Sequence, residues 1–213
     1  MARSPKPNPG KSGGAPPFVL IATVFAGILV LAAGVLIGIS FRDQGQGIAG
    51  SPLSAAIGGK FNLVDQNGKP FTDADLKGKW QLVFFGYTHC PDVCPTALND
   101  LSLALDQLGG AKKDVGIVFI SVDPDRDTPP VLKSYVESFG GPIEALTGTP
   151  DQVAQAAKDY RVFYAKHQRA DGGYDMDHSA LIYVLDPEGR FTATFTPDDT
   201  SDTMAARLKK LVS

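Results

Sequence analysis

Apolar positions follow two regimes along the chain. From Phe18 to Phe41 no charged residue interrupts the sequence, and Phe18 to Ile39 is almost wholly apolar; beyond Ile57 the apolar positions come in short runs divided by polar turns. At about 1.5 Å per residue the first run reaches across a hydrocarbon core of roughly 30 Å, so 18–40 is predicted to be a single transmembrane helix. The competing reading is a cleaved signal peptide, but its apolar region normally spans about 7 to 15 residues and is closely followed by a small-residue cleavage pattern. Arg3, Lys6 and Lys11 precede the span without an acid, and only Arg42, offset by Asp43, directly follows it. The positive-inside tendency therefore puts the N-terminus in the cytoplasm and the rest of the chain on the far side. The Pro-, Gly-, Ser- and Lys-rich stretch 1–17 reads as a disordered tail and the Gly-, Ser-, Ala- and Gln-rich stretch 41–56 as a flexible tether, leaving 57–213 as the folded domain.

Within that domain, Phe61 to Val64 and Lys69 to Thr72 flank Gln66-Asn67-Gly68, the signature of an N-terminal hairpin. Leu82 to Phe85 and Val115 to Val122 are continuous apolar runs suited to central, parallel strands. Between them Leu98, Leu101, Leu105 and Leu108 recur at helical spacing over Thr96 to Leu108, and Pro95 fits only the first turn of that helix, which makes a βαβ unit. Pro129 to Phe139 and Pro150 to Tyr160 read as further helices, the second capped by Thr149. Val162 to Ala165, Ala180 to Leu185 and Phe191 to Phe195 read as strands, Asp186 to Gly189 as a turn, and Thr203 to Val212 as a terminal amphipathic helix. The pattern is that of a mixed α/β sheet with helices on both faces and no second domain.

A formal charge of −3 and the lack of a dense basic cluster argue against nucleic-acid binding. Only two cysteines occur, both in Gly86-Tyr87-Thr88-His89-Cys90-Pro91-Asp92-Val93-Cys94-Pro95, a distribution that suits a local dithiol site rather than a disulfide scaffold. The motif falls between the first central strand and its helix, where ligands collect in open α/β sheets and helix N–H groups stabilise a thiolate. With three residues between them, the two sulfurs share one face of a helical turn, a geometry compatible with a disulfide or with chelation. Two thiolates suit Cu(I), and one added imidazole gives a site for Cu(I) or Cu(II); spacing alone leaves zinc open.

The run Phe85 to Pro95, followed by Ser121-Val122-Asp123-Pro124-Asp125-Arg126-Asp127-Thr128-Pro129 and then by Asp177-His178-Ser179 before a strand, resembles the Sco/SenC copper chaperones of cytochrome oxidase assembly. The resemblance spans essentially the whole domain and implies a thioredoxin-like fold with copper bound by Cys90, Cys94 and His178. It also implies delivery of copper to, or reduction of thiols at, the binuclear copper site of a cytochrome c oxidase subunit. Asp177-His178-Ser179 stands where a thioredoxin has a proline. The three-residue spacing departs from the thioredoxin pattern, which weakens the expectation of general oxidoreductase activity.

The remaining polar residues are weighed individually. His89 precedes the turn and is expected to pack or hydrogen-bond rather than bind metal, and His167, among Lys166, Gln168 and Arg169, is expected to be solvated. Asp177 is a candidate acceptor for the second ring proton of His178. Asp123 to Asp127 is expected to be a structured turn with Arg126 paired to a carboxylate, not a calcium site, and Met176 is expected to be packing material rather than a thioether ligand.

Two functions follow. In one the chain is a metallochaperone that passes copper by ligand exchange. In the other it is a thiol-disulfide oxidoreductase or redox sensor in which Cys90 attacks a partner disulfide and Cys94 resolves the intermediate. Both call for an upstream copper donor and a thiol reductase, since a disulfide offers no thiolate ligands. The short tail without an Arg-rich transit peptide favours a bacterial inner membrane and periplasm over a mitochondrial inner membrane facing the intermembrane space.

Overall fold

A computed structural model describes residues 57–212. The predicted tail 1–17, transmembrane segment 18–40 and tether 41–56 lie outside the described residues. Among the described residues no helix is long and apolar enough to cross a membrane.

The elements run β1 (Asn62–Asp65), β2 (Pro70–Thr72), β3 (Trp80–Gly86), α1 (Val93–Asp106), β4 (Val115–Ser121), α2 (Pro129–Glu137), β5 (Ile143–Thr147), α3 (Pro150–Asp159), β6 (Tyr164–Gln168), β7 (Tyr174–His178), β8 (Ile182–Leu185), β9 (Phe191–Phe195) and α4 (Ser201–Leu211). A seven-stranded sheet in the order β2-β1-β5-β4-β3-β8-β9 carries the core, and β6 and β7 form a separate two-stranded hairpin. Strands β3, β4 and β5 are parallel and the flanking strands antiparallel, the mixed architecture of a thioredoxin-like fold.

Side chains of β3 alternate between the two faces, as the pleat requires. Phe84 meets Phe119 and His178 on one face, where α1 packs through its buried Leu98, Leu101 and Leu105. Phe85 meets Tyr160, at the end of α3, and Tyr183 on the other. The N-terminal hairpin turns as its Asn-Gly signal implies: Asp65 accepts from the backbone of Asn67 and Lys69, and Gly68 takes a positive φ of 76°. Thr149 caps α3 in a reciprocal box with Gln152.

The structure differs from the pattern-based expectation most in the following places, beside strand β7, which was not expected. Strand β5 is central yet has only five residues, with Glu144 interrupting its apolar run, and it owes its conformation to pairing with β4 and β1. The strand expected at Val162 to Ala165 begins at Tyr164 and continues through Gln168, because pairing with β7, and no apolar alternation of its own, sets its extent. Helix α1 starts at Val93, three residues before the expected Thr96, which brings Cys94 inside its first turn.

Candidate metal centre

The centre stands at the carboxyl end of β3. Asp92 occupies the N-cap of α1 without making a side-chain cap, and the sulfur of Cys90 takes that role by accepting from the Cys94 backbone N–H at 3.4 Å. An N–H without an intrahelical partner, at the positive end of a helix, favours negative charge on the sulfur that accepts from it. Cys94 is fully buried, Cys90 is half-buried, and both are free thiols. The hydrogen bond from the Cys94 thiol holds Cys90 far below the ordinary thiol range, with further help from His178 and the backbone at Asp92 and Cys94. The same shared proton, together with burial, pushes Cys94 far up. The less buried sulfur is therefore the one on which the thiolate is favoured.

His178 reaches the thiols from the last position of β7, on a strand rather than in a loop. Its Nδ1 lies 3.1 Å from the carbonyl oxygen of Ser179, and since a carbonyl only accepts, this nitrogen carries the proton. Nε2 faces the thiols, 3.3 Å from Cys94 Sγ. One donor atom from each of Cys90, Cys94 and His178 falls within 4.8 Å of the others. Two soft sulfurs and one imidazole at this separation can close around a single ion of the Cu(I) or Cu(II) type.

The other sequence candidates stand apart from this group. Asp177 does not support His178: its carboxylate faces His167 Nε2 at 2.7 Å on the exposed side of the hairpin, because neighbouring residues of a strand point to opposite faces. His167 is accordingly paired as well as solvated. His89 is exposed, with Nδ1 3.0 Å from Thr88 Oγ1. Arg126 pairs with Asp123 as expected. Met176 is buried and belongs to the core.

Two supports of the site escaped the sequence. A Cβ on Gly86 would come within 2.7 Å of Cys94 Sγ and 2.8 Å of Phe119, so the backbone of β3 can pass the sulfur only as glycine. The buried carboxylate of Asp127 accepts from Thr88 N–H at 3.0 Å, Thr88 Oγ1 at 2.6 Å and Ser121 Oγ at 2.6 Å, tying the start of the cysteine loop to the end of β4. Glycine closing an apolar strand was a signal for the first; nothing in residue spacing distinguishes Asp127 from the acids around it.

The fold and this constellation define a thioredoxin-like protein in which two free cysteines and a histidine are brought together in a group that could hold a metal ion. The family model of SCO1/SenC matches residues 49–213, and the chain belongs to that family. Among curated relatives, Protein SCO2, mitochondrial, of Saccharomyces cerevisiae is 46% identical over 65% of this chain and 47% of its own length. Protein SCO1 homolog 1, mitochondrial, of Arabidopsis thaliana is 41% identical over 70% of this chain and 45% of its own. The chain thus spans about half the length of these relatives. Of solved structures, Bradyrhizobium japonicum ScoI with copper bound matches with a TM-score of 0.68 and 51% identity, over 73% of this chain and 99% of that one. BsSco, a member of the Sco family of cytochrome c oxidase assembly proteins in which a disulfide switch was identified, matches with a TM-score of 0.59 and 25% identity, over 78% of this chain and 98% of that one.

Proposed function

We propose that this protein binds copper through Cys90, Cys94 and His178 and serves cytochrome c oxidase assembly by delivering the ion to the copper-site subunit of the oxidase. The observation that carries the reading is the convergence of two sulfurs and one imidazole nitrogen within 4.8 Å. The copper-bound state of the Bradyrhizobium relative supports it. Copper is the cargo, and the half-exposed Cys90 is the ligand a partner thiolate can reach first, so transfer proceeds by exchange of one sulfur for another at the ion. The apolar run 18–40 anchors the chain in the membrane with the domain facing an oxidising compartment, a placement supported by the charge bias around that run.

The test is anaerobic titration of the reduced protein with Cu(I) and then Cu(II), in wild type, a double cysteine-to-serine variant and His178→Ala. One equivalent bound by wild type, lost without the cysteines and weakened without His178, is expected. Absence of specific copper binding by verified dithiol protein would overturn the reading.

The low thiol pKa of Cys90 favours a second reading on the same residues. Cys90 thiolate attacks a partner disulfide, forming a mixed disulfide and expelling one partner thiolate. Cys94, after losing its proton, attacks the Cys90 sulfur, closing the Cys90–Cys94 disulfide and releasing the second partner thiol. Two electrons pass to the partner, and a reductase must restore the dithiol before copper can bind again. His178→Ala separates the readings, since it is expected to impair copper handling much more than dithiol exchange.

A further inference from the structure

His178 is carried by a hairpin that shares no strand pairing with the main sheet. Something other than the sheet must therefore fix the imidazole over the thiols. At its base the hairpin is closed by Ser179 N–H donating to the Phe163 carbonyl at 2.9 Å and by Phe163 N–H donating to Ser179 Oγ at 3.1 Å. At its far end, where β7 begins, it is held by the turn that follows β4. The Arg126 guanidinium lies 3.7 Å from the centre of the Tyr174 ring and donates through Nη1 to the Tyr174 carbonyl at 3.1 Å, while Nε is bound by Asp123. The Tyr174 hydroxyl donates back to the other oxygen of the same Asp123 at 2.8 Å. Lys166, on β6, adds an ion pair to Asp125 and stands 4.1 Å from the same ring.

The clamp also leads to the imidazole. Arg126 lies 5.8 Å from the centre of the Tyr87 ring, and Tyr87 meets the His178 ring edge to face at 5.8 Å and 87°. Tyr87 is buried and stands three residues before Cys90, so its ring is shared between the cysteine loop and the histidine strand. Asp123 is buried in turn, so the guanidinium is held at both ends of its path. A flat, forked cation suits this position in a way an ammonium does not: it stacks on rings and donates in two directions at once.

We propose that Arg126 and Tyr174 are positioning residues for copper, holding the β6–β7 hairpin so that His178 Nε2 reaches the ion carried by the two thiols. This rests on the copper reading above. It concerns the histidine arm: the two sulfurs belong to α1 and its approach, which Asp127 and Gly86 hold from the side of the main sheet.

The experiment compares wild type, Arg126→Lys, Tyr174→Leu, His178→Ala and the double variant Arg126→Lys/His178→Ala, each checked for native fold by circular dichroism. Cu(II) affinity, the Cu(II) electron paramagnetic resonance signature of nitrogen ligation, and backbone hydrogen exchange of β7 in the copper-free protein are measured. The expected result is a loss of about 10- to 100-fold in Cu(II) affinity for Arg126→Lys, the range seen when a partner that orients a ligand is removed. Weakened nitrogen coupling and faster exchange confined to β6 and β7 accompany it, and the double variant is no weaker than His178→Ala alone, because the clamp acts only through the histidine. Wild-type Cu(II) affinity and spectrum in both Arg126→Lys and Tyr174→Leu overturn the proposal, as does additive loss in the double variant. If wild type itself binds no copper, the function reading fails instead, and hydrogen exchange still decides whether the clamp holds the hairpin.

Discussion

At the scale of single residues, the chemistry turns on how one proton is shared between two sulfurs. Cys94 donates to Cys90, and this bond is the largest cause of the depressed Cys90 pKa. Cys94→Ala removes the donor, so the midpoint for alkylation of Cys90 by iodoacetamide is expected to move upward, toward the ordinary value of about 8.5. An unchanged midpoint would show that the helix terminus alone sets it. A pKa lowered by folding means that the native state favours the thiolate. The contribution is complete above the unfolded pKa of about 8.5 and is lost as pH falls through the native value. Denaturant titrations should accordingly show the stability gap between wild type and Cys90→Ser narrowing toward acid. The residue types at this site were legible in advance, since two cysteines in one motif leave few alternatives. The partner of Asp177 was not, because the sequence does not say which face of a hairpin a carboxylate will take.

At the scale of elements, the βαβ unit of β3, α1 and β4 was readable because its apolar runs and Leu98-Leu101-Leu105 spacing follow the periods of strand and helix. Strand β5 and hairpin β6–β7 were harder, since one is short and polar at Glu144 and the other is polar and largely exposed along β6, and both take their form from pairing. The join between β3 and α1 is tight enough to test. Gly86→Ala would drive a methyl group to within 2.7 Å of Cys94 Sγ and 2.8 Å of Phe119. A loss of about 1–3 kcal/mol is expected by chemical denaturation, with the Cys94 sulfur displaced from the metal centre. Asp127→Ala attacks the same join from β4: it leaves the buried hydroxyl of Ser121 and the N–H of Thr88 without their acceptor. Each such group costs about 1–3 kcal/mol, so this variant should be the less stable of the two. Equal stability of wild type and Asp127→Ala would mean that the loop finds another anchor.

At the scale of the whole domain, the donor atoms come from parts of the chain with different supports. The thiols stand at the mouth of a seven-stranded core, whereas His178 stands on a hairpin outside that sheet, and copper would tie the two together. An ion that binds only the folded arrangement stabilises it by mass action, by about 2.7 kcal/mol at one hundred times the dissociation constant. For a domain of this size that corresponds to a rise in Tm of roughly 5–11 °C. The rise should disappear when the dithiol is oxidised, because a disulfide presents no thiolate to the ion. It should shrink in His178→Ala, which keeps the sulfurs but loses the link to the hairpin. Differential scanning calorimetry with and without copper, repeated on oxidised protein and on His178→Ala, measures each of these. A full rise in His178→Ala would mean that the sulfurs hold copper without the histidine, and the hairpin would then have to be understood as a docking element rather than as the third arm of the site.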